Sequence, residues 1–108
     1  MTIKVLEYIG DRATDMKQGD MIYELIIQGF KKGEKVYVDF GGLTTVLSTF
    51  LNNAIGTLFK DYDSDYLNNN LSILNLCEDD MFILRMVIKR AKEFYGQPCA
   101  MLKKFGTS

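Results

Sequence analysis

With 108 residues, 47% of them hydrophobic and 25% charged, the chain has the size and composition of one ordinary globular domain built on a single core. Thirteen Lys and Arg against fourteen Asp and Glu leave a net charge of -1, so no basic excess draws the chain towards nucleic acid or anionic lipid. The sequence has no His and no Trp, which removes the commonest general base and metal ligand, every Ser-His or Cys-His nucleophile pair, and the aromatic most used to stack bases.

Ile3 to Ile9 is rich in β-branched and aromatic residues and stops at Gly10, the pattern of a first strand closed by a turn. After a polar stretch, Asp20 to Phe30 places Met21, Ile22, Leu25, Ile26 and Phe30 along one helical stripe. Asp20 is the expected N-cap, Lys31 and Lys32 suit the negative end of the helix dipole, and Gly33 stops the helix. Lys35 to Phe40 alternates, with Val36, Val38 and Phe40 on one face, and predicts the central strand ahead of Gly41-Gly42. From Ser48, the spacing of Phe50, Leu51, Ala54, Ile55, Leu58 and Phe59 predicts a second helix to about Tyr62, capped by Ser48 or Thr49. Asp61 to Asn70 reads as an acidic surface loop and Leu71 to Leu76 as a third strand. Glu78-Asp79-Asp80 opens a third helix with apolar stripe Met81, Leu84, Val87, Ile88, Ala91, Phe94 and Tyr95. Arg85, Lys89, Arg90 and Lys92 lie in its later turns, and Gly96 and Pro98 end it.

Strand and helix therefore alternate, which predicts an α/β domain over residues 1–95: a mixed sheet of three to five strands with about three helices. Residues 96–108 are expected to form a tail or an edge strand through Ala100-Met101-Leu102. The start of the chain lacks a basic region followed by an apolar run, and no apolar run approaches the ~18 residues needed to span a bilayer. A cytoplasmic protein with Cys77 and Cys99 reduced is the expectation.

Val36 to Phe50 carries the chain from a strand's carboxyl end to a helix N-terminus, the place where open α/β sheets usually bind ligands. It contains Val38-Asp39-Phe40, Gly42-Leu43, Val46-Leu47 and Ser48-Thr49-Phe50, and further along come Gly56-Thr57-Leu58 and Leu74-Asn75-Leu76. In order and spacing these resemble the STAS-like domains, bacterial and phage relatives of the STAS fold of anti-sigma factor antagonists, over roughly Asp20 to Tyr95. The resemblance implies a STAS-like fold and a regulatory role. In the antagonists, a serine opening the helix after the central strand is phosphorylated by a partner kinase, and the matching positions are Ser48 and Thr49. The antagonist signature has Asp directly before that serine and Gly shortly after it, whereas this chain has Leu47 and Phe50.

Other features give no catalytic constellation. Asp39 is read as a strand-end carboxylate accepting from the Gly41, Gly42 or Leu43 amide, and a lone acid makes a poor metal site. Gly41-Gly42 belongs to neither a GxxxxGK[ST] loop nor a GxGxxG fingerprint. Asp61, Asp63 and Asp65 lack the Gly and distant Glu of a calcium loop. Cys77 sits beside acids that give no help to a thiolate.

The expectation is a non-catalytic interaction module without cofactor or metal, binding neither nucleic acid nor membrane. Its partner surface is predicted around Asp39, Gly42, Leu43, Thr44, Asn52 and Asn53, with Ser48 and Thr49 as candidate phosphorylation sites. By resemblance, the partner is a kinase-fold ATPase or an anti-sigma-like regulator. The alternatives are a self-assembling subunit of a phage or defence system, with a homodimer formed through an edge strand or an apolar helix face, and a module binding nucleotide or anion.

Overall fold

Val36 and Val38 are buried while Tyr37 points to solvent, so the predicted alternation is realised in β3 (Val36–Asp39). In the computed structural model, which describes residues 1–96, β3 is the middle of three parallel strands, flanked by β1 (Thr2–Lys4) and β5 (Leu71–Leu74). The register aligns Ile3, Val38 and Ile73 in one row facing the helices. The next row, Lys4, Asp39 and Leu74, lies at the carboxyl end and faces away. The expected tail or edge strand over 96–108 lies outside the described residues beyond Gly96.

The first strand is shorter than predicted. After Lys4 its partner β3 has ended, since Lys4 pairs with Asp39, and the backbone must satisfy itself. It does so in α1 (Val5–Ile9), closed by Gly10 at φ 82°, whose amide donates to the Leu6 carbonyl. A parallel ladder of two residues per strand, β2 (Arg12–Ala13) with β4 (Thr45–Val46), follows; strands this short leave no periodic trace in sequence.

Helix α2 (Met16–Lys31) begins ahead of the predicted Asp20 cap. Asp15 is the N-cap: its carboxylate accepts from the Gln18 amide at 2.8 Å, and the Gln18 side chain accepts from the Asp15 amide at 3.1 Å, a complete capping box. Ile22, Ile26 and Phe30 are buried as expected, but Met21 is exposed.

The predicted second helix is broken in two. Helix α3 (Ser48–Ala54) gives way to a 3-10 turn (Gly56–Lys60) that brings Leu58 and Phe59 into the core. Gly56 packs against Val87 and Ala91 at that break. The expected acidic loop holds another helix, α4 (Ser64–Asn70), with Asp63 accepting from the Tyr66 amide at 2.8 Å. Tyr62 and Tyr66 stack on each other and meet Phe30 edge-on, with ring centroids 5.0 to 5.2 Å apart, which anchors this segment on α2. Helix α5 (Glu78–Phe94) matches its predicted start, with three acids in its first turn. Leu84, Val87 and Ala91 are its buried residues, whereas Phe94, predicted to be apolar stripe, is 80% exposed.

Helices α2 and α3 meet at Gly19. A Cβ there would lie 2.6 Å from the Phe50 carbonyl oxygen and 2.8 Å from Asn53 Cβ, so only glycine permits the approach. Ala usually stabilises an exposed helix interior by about 1 kcal/mol over Gly. At this position the clash is with backbone, and Gly19→Ala is expected to cost a net 1–3 kcal/mol in urea unfolding. A variant as stable as wild type would show that the two helices are not held this closely.

Candidate functional site

Asp39 closes β3 and ties the carboxyl end of the sheet together. Its Oδ1 accepts from the Asn75 side-chain amide at 2.9 Å and from the Gly41 backbone amide at 2.8 Å. Asn75, just past β5, adopts φ 59°, and that conformation brings its side chain back to β3. The Asn75 hydrogen bond first, then the Gly41 amide and the nearby Lys4 charge, hold the Asp39 carboxyl below its ordinary 3.8. Of the three predicted donors, Gly41 is the one that bonds it.

The loop from Gly41 to Leu47 is strapped to the segment before α2. The Thr44 amide donates to the Asp11 carbonyl at 2.8 Å and the Leu47 amide to the Ala13 carbonyl at 2.9 Å. The Thr44 hydroxyl also reaches the Asp11 carbonyl, at 3.2 Å. Gly42, at φ 83°, lies so close to Leu6 that a Cβ would come within 2.9 Å of its Cδ2. Leu43 is half-buried against the core. Asp39, Gly42, Leu43 and Thr44 are therefore occupied in shaping the loop.

That strap delivers Leu47 as the N-cap of α3, in extended conformation and without a side-chain cap bond. Ser48 and Thr49 were expected to cap the helix; they lie instead within its first turn, exposed, and make no side-chain hydrogen bond among the described residues. Leu47 is 45% exposed at a position where Ser, Thr, Asp or Asn is preferred. Beside these three residues opens a groove of about 410 Å³, completed by Ile83, Met86, Val87 and Arg90 of α5. A neighbouring groove of about 310 Å³ is lined by Asn52, Asn53 and Thr57 on one side and by Arg90, Phe94 and Tyr95 on the other.

The predicted site residues thus separate into two groups. Ser48, Thr49, Asn52 and Asn53 share the α3–α5 cleft, whereas Asp39, Gly42, Leu43 and Thr44 line neither groove. Asn53 also cross-links the helices, donating to the Asp20 carboxylate at 2.9 Å and to the Met16 carbonyl at 3.4 Å. Leu47 lies inside the Gly42 to Asn53 stretch that the sequence marks for a partner, whereas the α5 side of the cleft is missed. The signal available was Met86, an apolar residue off the buried stripe of Leu84, Val87 and Ala91. Among the described residues no group of three His, Cys, Asp or Glu side chains is placed to hold a metal ion, and the Cys77 thiol donates to Asp80 at 3.2 Å.

A small parallel sheet joined to helices through a strapped strand-to-helix loop defines the structural class, and the family follows from the sequence. Residues 18–81 match the model of the STAS-like domain of unknown function (DUF4325), more than half of the chain, so the protein belongs to that family. No curated protein and no solved structure matches it.

The Asp39 carboxyl and the bare cap of α3 can each be tested. A carboxyl group whose folded pKa is depressed contributes stability above its unfolded value and loses that contribution as pH falls through the folded one. Asn75→Gly keeps the backbone freedom at φ 59° and removes the donor, so the Asp39 carboxyl should titrate closer to 3.8 by NMR. The stability lead of wild type over Asn75→Gly that comes from this charge should be present above pH 3.8 and fade as pH drops below it. Secondly, Leu47→Asp supplies the missing cap and should raise stability by about 0.5–1 kcal/mol, while Ser48→Ala and Thr49→Ala should each stay within about 0.5 kcal/mol of wild type. A loss above 1 kcal/mol for Ser48→Ala would mean that its hydroxyl caps after all.

Proposed function

We propose that this STAS-like domain is a non-catalytic, cytoplasmic regulatory module that docks a protein partner on the α3–α5 cleft. The observation that carries this reading is Leu47, an apolar side chain exposed at a helix cap beside an open groove. A cap position filled by Leu forgoes about 1 kcal/mol of folding stability, a cost that contact with a partner offsets. The cleft is mainly apolar at its α5 wall, with Ile83, Met86 and Val87, which suits a protein segment better than a nucleotide.

Ser48 and Thr49 are the proposed switch points. Both hydroxyls are exposed at the rim, and a phosphate there would bring about -1.5 to -2 charge into a groove that also contains Arg90. Phosphorylation would thereby convert an apolar docking surface into a charged one. The family resemblance suggests the partner: a kinase-fold ATPase or an anti-sigma-like regulator. Leu47 stands where the antagonists have Asp, so recognition at this site would rely more on apolar contact than theirs.

The test is affinity capture from the native host with wild type beside a Ser48→Asp, Thr49→Asp variant and a Leu47→Asp variant, followed by mass spectrometry and titration of the purified partner. The reading predicts a partner retained by wild type and weakened at least about tenfold, 1.4 kcal/mol, by either variant. Equal retention by all three chains would contradict it.

A further inference from the structure

Helix α5 turns one stripe inward and leaves another to solvent. Facing out are Glu78 and Asp79 at its start, then Phe82 and Met86, then Lys89 and Arg90. Phe82 is 62% exposed and Met86 39%, and neither belongs to the buried stripe. Glu78, Asp79, Lys89 and Arg90 form no ion pair among the described residues. The exposed face therefore carries acid at its start, Phe82 and Met86 in its middle with the exposed Arg85 at their edge, and Lys89 and Arg90 at its far end.

We propose that this face pairs with the same face of a second copy, the two α5 helices running antiparallel. A two-fold axis beside the midpoint of Phe82 and Met86 sets Phe82 of each chain against Met86 of the other. Each edge of the face then meets the same edge of the other copy, so Glu78 meets Lys89 and Asp79 meets Arg90. Each contact then occurs twice, as an isologous interface requires. A parallel arrangement would set acid on acid and base on base, so the charge order selects the antiparallel one.

The overlap spans residues 78 to 90, about 20 Å of helix at 1.5 Å per residue. One helix face of that length offers less than the ~800 Å² per partner of a standard interface, which fixes the expected strength as weak, with a midpoint of about 10 to 1000 μM. The inference needs neither the proposed partner nor the phosphorylation. Met86 also lines the groove beside Ser48, so a second copy and a partner in that groove would compete.

Sedimentation equilibrium of the full chain is the test, with cysteines kept reduced. Wild type should show a monomer–dimer equilibrium in that range, weakened by salt. Phe82→Ser changes an exposed residue and should weaken the dimer at least about tenfold. A Glu78→Lys, Asp79→Lys chain and a Lys89→Glu, Arg90→Glu chain should each be monomeric alone and form a 1:1 heterodimer when mixed, with folding of each followed by circular dichroism. Wild type that remains monomeric at about 1 mM would overturn the proposal and leave this face to another protein or to residues 97–108 of the chain. A dimer indifferent to Phe82→Ser would overturn it equally, by placing self-association on another surface.

Discussion

Helices α2 and α3 cross at Gly19, where the missing side chain lets the Phe50 carbonyl come within van der Waals reach of the α2 backbone. The remainder of the architecture hangs on that approach. Asn53, one turn further along α3, donates to the Asp20 carboxylate and to the Met16 carbonyl, so the pair is tied by polar contacts at its rim as well as by shape. With α3 fixed on α2, Phe50 and Leu51 are fully buried, and the opposite side of α3 is presented to α5. At the break after α3, Gly56 lies in ordinary packing distance of Val87 and Ala91 of α5.

The position of the functional surface follows from this frame. A parallel three-stranded sheet delivers the chain from Asp39 at its carboxyl end into a loop that bends back to bond the Asp11 and Ala13 carbonyls. The loop can only end where α3 begins, and α3 can only begin where Gly19 admits it. Leu47, Ser48 and Thr49 are therefore carried on a backbone fixed from both sides, facing the groove, instead of on a free loop. Preorganisation of this kind lowers the ordering cost of binding and favours recognition by a defined partner. Within the same frame Asp39, Gly42 and Thr44 set the geometry of the loop.

Much of this was legible in the sequence and the remainder was hidden for identifiable reasons. The alternation of Val36, Tyr37 and Val38 revealed the central strand because one face of it is buried and the other is not. The start of α5 was clear from Glu78, Asp79 and Asp80. Residues 3–9 misled because β-branched composition reports burial, and Val5 is buried in a helix that starts where the strand partner ends. The Asp15 cap was readable from Gln18 three residues on, but the hydrophobic stripe drew attention to Asp20. Leu58 and Phe59 kept helical spacing across the break at Ile55, so periodicity ran on where the backbone did not. The α5 wall of the cleft depends on tertiary placement, and only Met86, apolar but off the buried stripe, hinted at it.

The central claim is that the surface at the start of α3 is held rigidly by the fold and left open to solvent. Native-state hydrogen exchange, residue by residue, tests it most directly. The account predicts that the Thr44 and Leu47 amides, bonded to the Asp11 and Ala13 carbonyls, exchange only with unfolding as global as that needed for Val38 in β3, while the Ser48 and Thr49 amides exchange quickly. Rapid exchange at Leu47 with Val38 still protected would contradict it, because the loop would then open independently of the sheet and the surface would not be preformed.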